Sequence, residues 1–157
     1  MFTIGSDVAL FESAAVDAPM DIAGRPALRL FVKSDAADLD ISVRLYDVAP
    51  DGESLAMVEG YQRLRWRGGD DRSQEARSLT SNAEEIAVEL WPIAWRLGKG
   101  HRLRIAIAGS NFPRFDRNPQ SEATPGEASP NDFVTAQVEI FHDVERPSRI
   151  ELPIVAA

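Results

Sequence analysis

The residues from Ser110 to Pro119 read Ser-Asn-Phe-Pro-Arg-Phe-Asp-Arg-Asn-Pro and gather a hydroxyl, carboxamides, guanidinium groups, a carboxylate and two phenyl rings. Ser, Asn, Arg and Asp in one loop are residue types that an acyl-transfer site would use. Such chemistry also needs a nucleophile, a base and a group that orients the base. The chain has two histidines, His101 and His142, and no cysteine, which removes thiolate nucleophiles and Cys-based zinc sites. Ser54, in Gly52-Glu53-Ser54-Leu55-Ala56, is the one serine near a nucleophile-elbow pattern. It lies between two strand-like runs, whereas an elbow needs a strand-to-helix turn. His101 follows Gly98-Lys99-Gly100 and reads as a solvated turn residue; His142 and Asp143 are neighbours in sequence, which does not make them a pair in space. No catalytic residue is assigned.

Asp35, Asp38 and Asp40 could offer oxygen ligands to calcium. The glycine and terminal glutamate of an EF-hand ladder are missing. The plainer reading is a polar turn in which aspartates accept backbone N–H bonds. No metal site is assigned. There is no glycine-rich phosphate cradle and no other cofactor motif, so no cofactor is expected. Trp91 and Trp95 flank Pro92-Ile93-Ala94 and could stack on a sugar ring, which keeps a carbohydrate-binding module as the alternative function. A strand ending in Trp-Pro more often buries its tryptophan, so Trp91 is expected to lid the core. Trp66 sits among Arg63, Arg65 and Arg67 and could stack with arginine.

The elements that must position these groups are strands. Leu28, Leu30 and Val32 alternate with Ala27, Arg29 and Phe31. The same period of two recurs at Ile41–Leu45, Ile86–Leu90, Leu103–Ile107, Val134–Ile140 and Ile150–Ile154. A short first strand is expected near Val8–Phe11, and Leu55–Trp66 reads as one bent or two short strands with a bulge or bend at Gly60. Ala49-Pro50-Asp51-Gly52 is a turn in which proline presets φ and glycine takes the later position. No sustained apolar stripe of helical period is present. These features predict an all-β fold with little helix, a β-sandwich or jelly roll of two antiparallel sheets. The 157 residues form one expected domain, with long loops near 68–82 and 118–131.

Net charge is −8, against the basic face that nucleic acid or anionic lipid would need. No apolar run approaches a membrane span. The N-terminus shows no secretory signal, and the absence of cysteine fits a reducing, cytoplasmic setting. Two prolines keep Ser110–Pro119 out of a regular ladder, so its phenylalanines and arginines sit on a loop. Aromatic and arginine side chains together have the composition of an interface anchor. The expected docking residues are Phe112, Arg114, Phe115, Asp116 and Arg117, with His142 and Asp143 behind them.

Four stretches in order carry a resemblance: Ser34–Asp40 with Val43–Gly52; Leu90–Ala94 with Gly100–Ile105; Ser110–Asn118; and His142-Asp143, Pro147-Ser148-Arg149 and Leu152-Pro153. From about Val8 to Val155 the chain resembles the C-terminal, non-catalytic, galactose-binding-like jelly-roll domain of Xaa-Pro dipeptidyl peptidases, cocaine esterase and α-amino-acid ester hydrolases. The resemblance implies that an α/β-hydrolase domain bearing a Ser-Asp-His triad is the partner, in cis or in trans. It implies a domain that packs on that partner, supports its substrate cleft, assists homo-oligomerisation and is not an enzyme by itself. One departure is Gln120–Asn131, acidic and proline-rich where a glycine-rich continuation would be expected.

Overall fold

The computed structural model describes residues 7–67 and 82–155. Most of the predicted loop at 68–82 therefore lies outside the described residues. The strands are β1 (Val8–Glu12), β2 (Met20–Gly24), β3 (Ala27–Ser34), β4 (Asp40–Val48), β5 (Ser54–Arg63), β6 (Glu84–Glu89), β7 (Ile93–Leu97), β8 (Arg102–Ala108), β9 (Val138–Phe141) and β10 (Arg149–Glu151). Among the described residues the only helical turns are short 3-10 segments at Leu64–Trp66 and Pro130–Asp132. None is long and apolar enough to cross a membrane.

One four-stranded antiparallel sheet runs β1-β8-β4-β5. A second has β3 at its centre, with β6 along one side and β9 and β10 along the other. The fold is the expected all-β sandwich. The inward half of each alternating strand builds its core: Leu28, Leu30, Val32, Ile86 and Val88 from one sheet, and Ile41, Val43, Leu45, Val58 and Ile107 from the other. Burying each such side chain is worth about 1.5–3 kcal/mol. A third, two-stranded sheet, β2-β7, is separate, so the hydrogen-bonded sheets number three where two were expected. The chain after β10 returns along β2, with Ala23 N donating to Pro153 O and Val155 N to Asp21 O.

Two expectations change. The bulge lies opposite Leu45 and Tyr46, whose partners are Val58 and Ala56, so Met57 is the extra residue. Gly60 instead marks a close approach between the sheets. A Cβ there would stand 2.5 Å from Glu89 O, and Gly60 bridges Leu90. The strand expected over Val134–Ile140 begins only at Val138. The backbone before it is used elsewhere: Val134 N donates to Pro119 O at 3.0 Å, and Gln137 N to Asp35 Oδ1 at 2.7 Å.

Candidate docking site

The Ser110–Pro119 loop leaves β8 and folds back over the outer face of β4 and β5. Strand alternation sets what it meets there. Asp40 pairs in register with Arg63, Ser42 with Tyr61 and Arg44 with Glu59, so all six side chains share the outward face. Asp38, just before β4, continues that spacing, and Arg65 does so after β5.

Asp38 and Asp40 are each 1% exposed. Burying two carboxylates is costly unless each is paired and fully hydrogen-bonded. Asp38 Oδ1 accepts from Leu39 N and Arg65 N, each at 2.9 Å, and Oδ2 from Arg65 Nε at 2.6 Å and Asn118 Nδ2 at 3.0 Å. Asp40 Oδ1 accepts from Arg63 Nε at 2.9 Å and Asn118 Nδ2 at 2.8 Å. Its Oδ2 accepts from Arg63 Nη2 at 3.0 Å and from the Tyr61 hydroxyl. Every carboxylate oxygen holds two donors, so these aspartates have no coordination left for a cation. No metal-ligating cluster occurs among the described residues. Burial, followed by the hydrogen bond to Asp40, pushes the Tyr61 phenol well above its ordinary value. The bond to Asp40 likewise raises the Arg63 guanidinium.

The same arginines reach onward and hold the loop. Arg63 Nη2 donates to Asp116 O at 3.1 Å; Arg65 Nη2 donates to Ser121 O at 3.0 Å and Ala123 O at 3.1 Å. Asn118 is buried, spans both aspartates with one amide nitrogen, and accepts Gln120 N at 2.8 Å through its oxygen. Gln120 takes φ 63°, a left-handed turn out of the loop. Phe115 stacks on Tyr61 with centroids 3.9 Å apart and planes 4° from parallel. Arg114 pairs with Glu59, which also receives Arg44 Nη2 at 3.2 Å. The Arg117 guanidinium lies 4.7 Å above the Phe133 ring. Phe112 is left outward and 64% exposed.

The predicted residues therefore divide. Phe112, Arg114, Asp116 and Arg117 are exposed along the loop, while Phe115 is half-buried in its stack. His142 and Asp143 occupy a different turn, after β9. His142 meets Phe11 edge-on at 6.0 Å; Asp143 binds Arg146 at 2.7 Å rather than His142. Asp143 also accepts the Glu145 and Arg146 amides, leaving Val144 at the tip 97% exposed.

His101 is not a solvated turn residue. Its Nδ1 lies 2.6 Å from Asp47 Oδ1, and Trp95 Nε1 donates to Asp47 Oδ2 at 2.9 Å. The turn before it tucks the ring onto Gly98, where a Cβ would stand 2.8 Å from Nε2. The second nitrogen thus faces backbone, a poor position for a base. Trp91 is 60% exposed, against the expected core lid. Leu90 takes the inward position, and Trp91 N is held by Glu59 O at the corner where the sheets meet. Arg63, Arg65 and Arg67 are bound to Asp40, Asp38 and Glu84, so the expected Trp66–arginine stack gives way to ion pairs. Sequence reading missed Arg63, Arg65, Tyr61 and Asn118. The signal was two aspartates and two arginines, each spaced by two, at the facing ends of neighbouring strands.

Residues 4–151 match the family described as the X-Pro dipeptidyl-peptidase C-terminal non-catalytic domain. The chain is 30% identical to cocaine esterase of Rhodococcus sp. (strain MB1 Bresler) over 95% of its own length and 26% of that protein's. It superposes on an aminopeptidase from a marine sediment Thaumarchaeota archaeon with TM-score 0.88 and 26% identity, covering 97% of this chain and 26% of that one. An α-amino acid ester hydrolase gives TM-score 0.87 and 29% identity over 95% of this chain and 26% of that one. The chain thus spans about a quarter of the length of these relatives.

Proposed function

The chain belongs to the family of C-terminal non-catalytic domains of X-Pro dipeptidyl-peptidases, and from that premise we propose that it docks on the α/β-hydrolase portion of an esterase or peptidase, in cis or in trans. In this role it buttresses the substrate cleft and supports oligomerisation, without catalysing anything itself. The observation that carries the reading is Phe112, 64% exposed on a loop whose base is clamped by two buried carboxylates. An exposed phenyl ring on a loop ordered beforehand loses little conformational entropy on docking. Arg114 stands beside it as a polar flank. Phe115, Asp116 and Arg117 complete the loop, and His142 and Asp143 offer a second contact.

The test is co-purification of this chain with its α/β-hydrolase portion expressed as a separate polypeptide. Phe112→Ala should weaken association by about tenfold or more, as truncating an interface anchor does. Its melting temperature should stay near that of the native chain. A variant that binds normally, or that melts early and binds in proportion to its folded fraction, would reject the docking role of this loop.

A further inference from the structure

The loop covers one end of the β1-β8-β4-β5 sheet; on the rest of that face Leu10, Glu12, Arg44 and Ala56 are exposed and Tyr46, Arg104 and Ala106 partly so. Three outward rows cross it: Val8–Ala108–Ser42–Tyr61, Leu10–Ala106–Arg44–Glu59 and Glu12–Arg104–Tyr46–Ala56. The centre is floored by small side chains, Ala106, Ala108 and Ser42, with Leu10 45% exposed beside them. Its charges are unusual. Glu12 is shared by Arg102 at 2.5 Å and Arg104 at 2.7 Å. Glu59 is shared by Arg44 and Arg114. Four arginines thus face two glutamates, an excess of positive charge on a chain of net charge −8. The outer face of the opposite sheet is balanced differently: Arg29, Lys33 and Arg149 stand among Glu85, Glu89, Glu139 and Glu151.

We infer that this cationic face, continuous with Phe112, is the docking surface, and that its occupant is an acidic, flat face of the hydrolase portion. The inference rests on the accessory role proposed above and specifies where the partner sits. A guanidinium that shares its carboxylate with a second arginine keeps donors free for another acceptor. Partner carboxylates can therefore join without displacing Glu12 or Glu59. A second copy of the chain would bring arginine against arginine, and such like-charge contact is unfavourable. The relatives' length beyond this chain supplies the partner: the chain covers only 26% of cocaine esterase.

The experiment titrates the chain against its α/β-hydrolase portion, expressed as a separate polypeptide, at low and high salt. R44Q/R104Q removes two charges from this face, and R29Q/R149Q removes two from the opposite one. R44Q/R104Q should weaken binding by about tenfold or more and flatten its salt dependence, because screened attraction is what it deletes. R29Q/R149Q should do neither. Should R44Q/R104Q fail to fold by circular dichroism, Leu10→Gln on the edge strand β1 of the same face must weaken binding instead. If the native chain binds but R44Q/R104Q matches it, or R29Q/R149Q is the weaker binder, the assignment of the face is wrong and the accessory role survives. If the native chain does not bind at all, the accessory role falls and this inference falls with it.

Discussion

Asp38 receives Arg65 at 2.6 Å beneath the Ser110–Pro119 loop, and Asp143 receives Arg146 at 2.7 Å in the turn after β9. Chemically the two pairs match, and each also gathers backbone amides. Their surroundings do not match. Asp38 is 1% exposed and joins strands to a distant loop residue, Asn118. Asp143 reaches only to Arg146, three positions on, and its side chain stays 45% exposed. In water, such a pair gains little and is screened by salt. In the interior, the pair adds little over an apolar replacement, yet removing one partner strands the other. One cluster therefore fixes where a distant loop lies, and the other only biases the shape of its own turn.

The sharpest way to break this contrast is Asp38→Ala. It leaves Arg65 buried without its carboxylate and should cost about 3–5 kcal/mol. For a chain of this size that lowers the melting temperature by roughly 10 °C, read by calorimetry. A melt like that of the native chain would erase the distinction. Asn118→Ala should fall in the middle, at about 1–3 kcal/mol, because both aspartates lose one donor. Its signature is local: amides from Gln120 to Ala123 should exchange faster with deuterium while those of β3 and β6 do not. The smallest effect belongs to Asp143→Asn. Hydrogen bonding to Arg146 holds the Asp143 carboxyl below the usual range. Its contribution is thus present above the ordinary carboxylate value of about 4 and is lost as pH falls through the lower folded value. Exposure to solvent keeps it within the scatter of a melting curve at neutral pH, and native and variant melts should coincide in acid.

The sandwich was legible because period two exposes which residues face inward, and β3, β4, β6 and β8 fall where Leu28, Ile41, Ile86 and Leu103 begin their alternation. β2 and β7 were not, since Met20–Gly24 and Ile93–Leu97 are only five residues each, too short for their alternation to stand out from the flanking turns. The loop's composition pointed to docking, but its foundation was hidden. Asp38 and Asn118 are 80 positions apart, and only strand pairing brings them together. For the same reason the aspartates suggested calcium when their partners were arginines. Trp91 misled because Trp-Pro at a strand end says nothing of the corner formed by Gly60 and Leu90.

The bond from Val134 N to Pro119 O joins the two ends of residues 120–133. That stretch is acidic and proline-rich, and the bond brings its two ends together. Closing a longer or shorter excursion between fixed ends changes the entropic cost only slowly with length. Lineages can therefore rewrite this segment, or an engineer can splice a foreign peptide beyond Ala123, while Asn118 still anchors the loop that presents Phe112. The domain keeps one cassette open to novelty within a few residues of the part that must stay put.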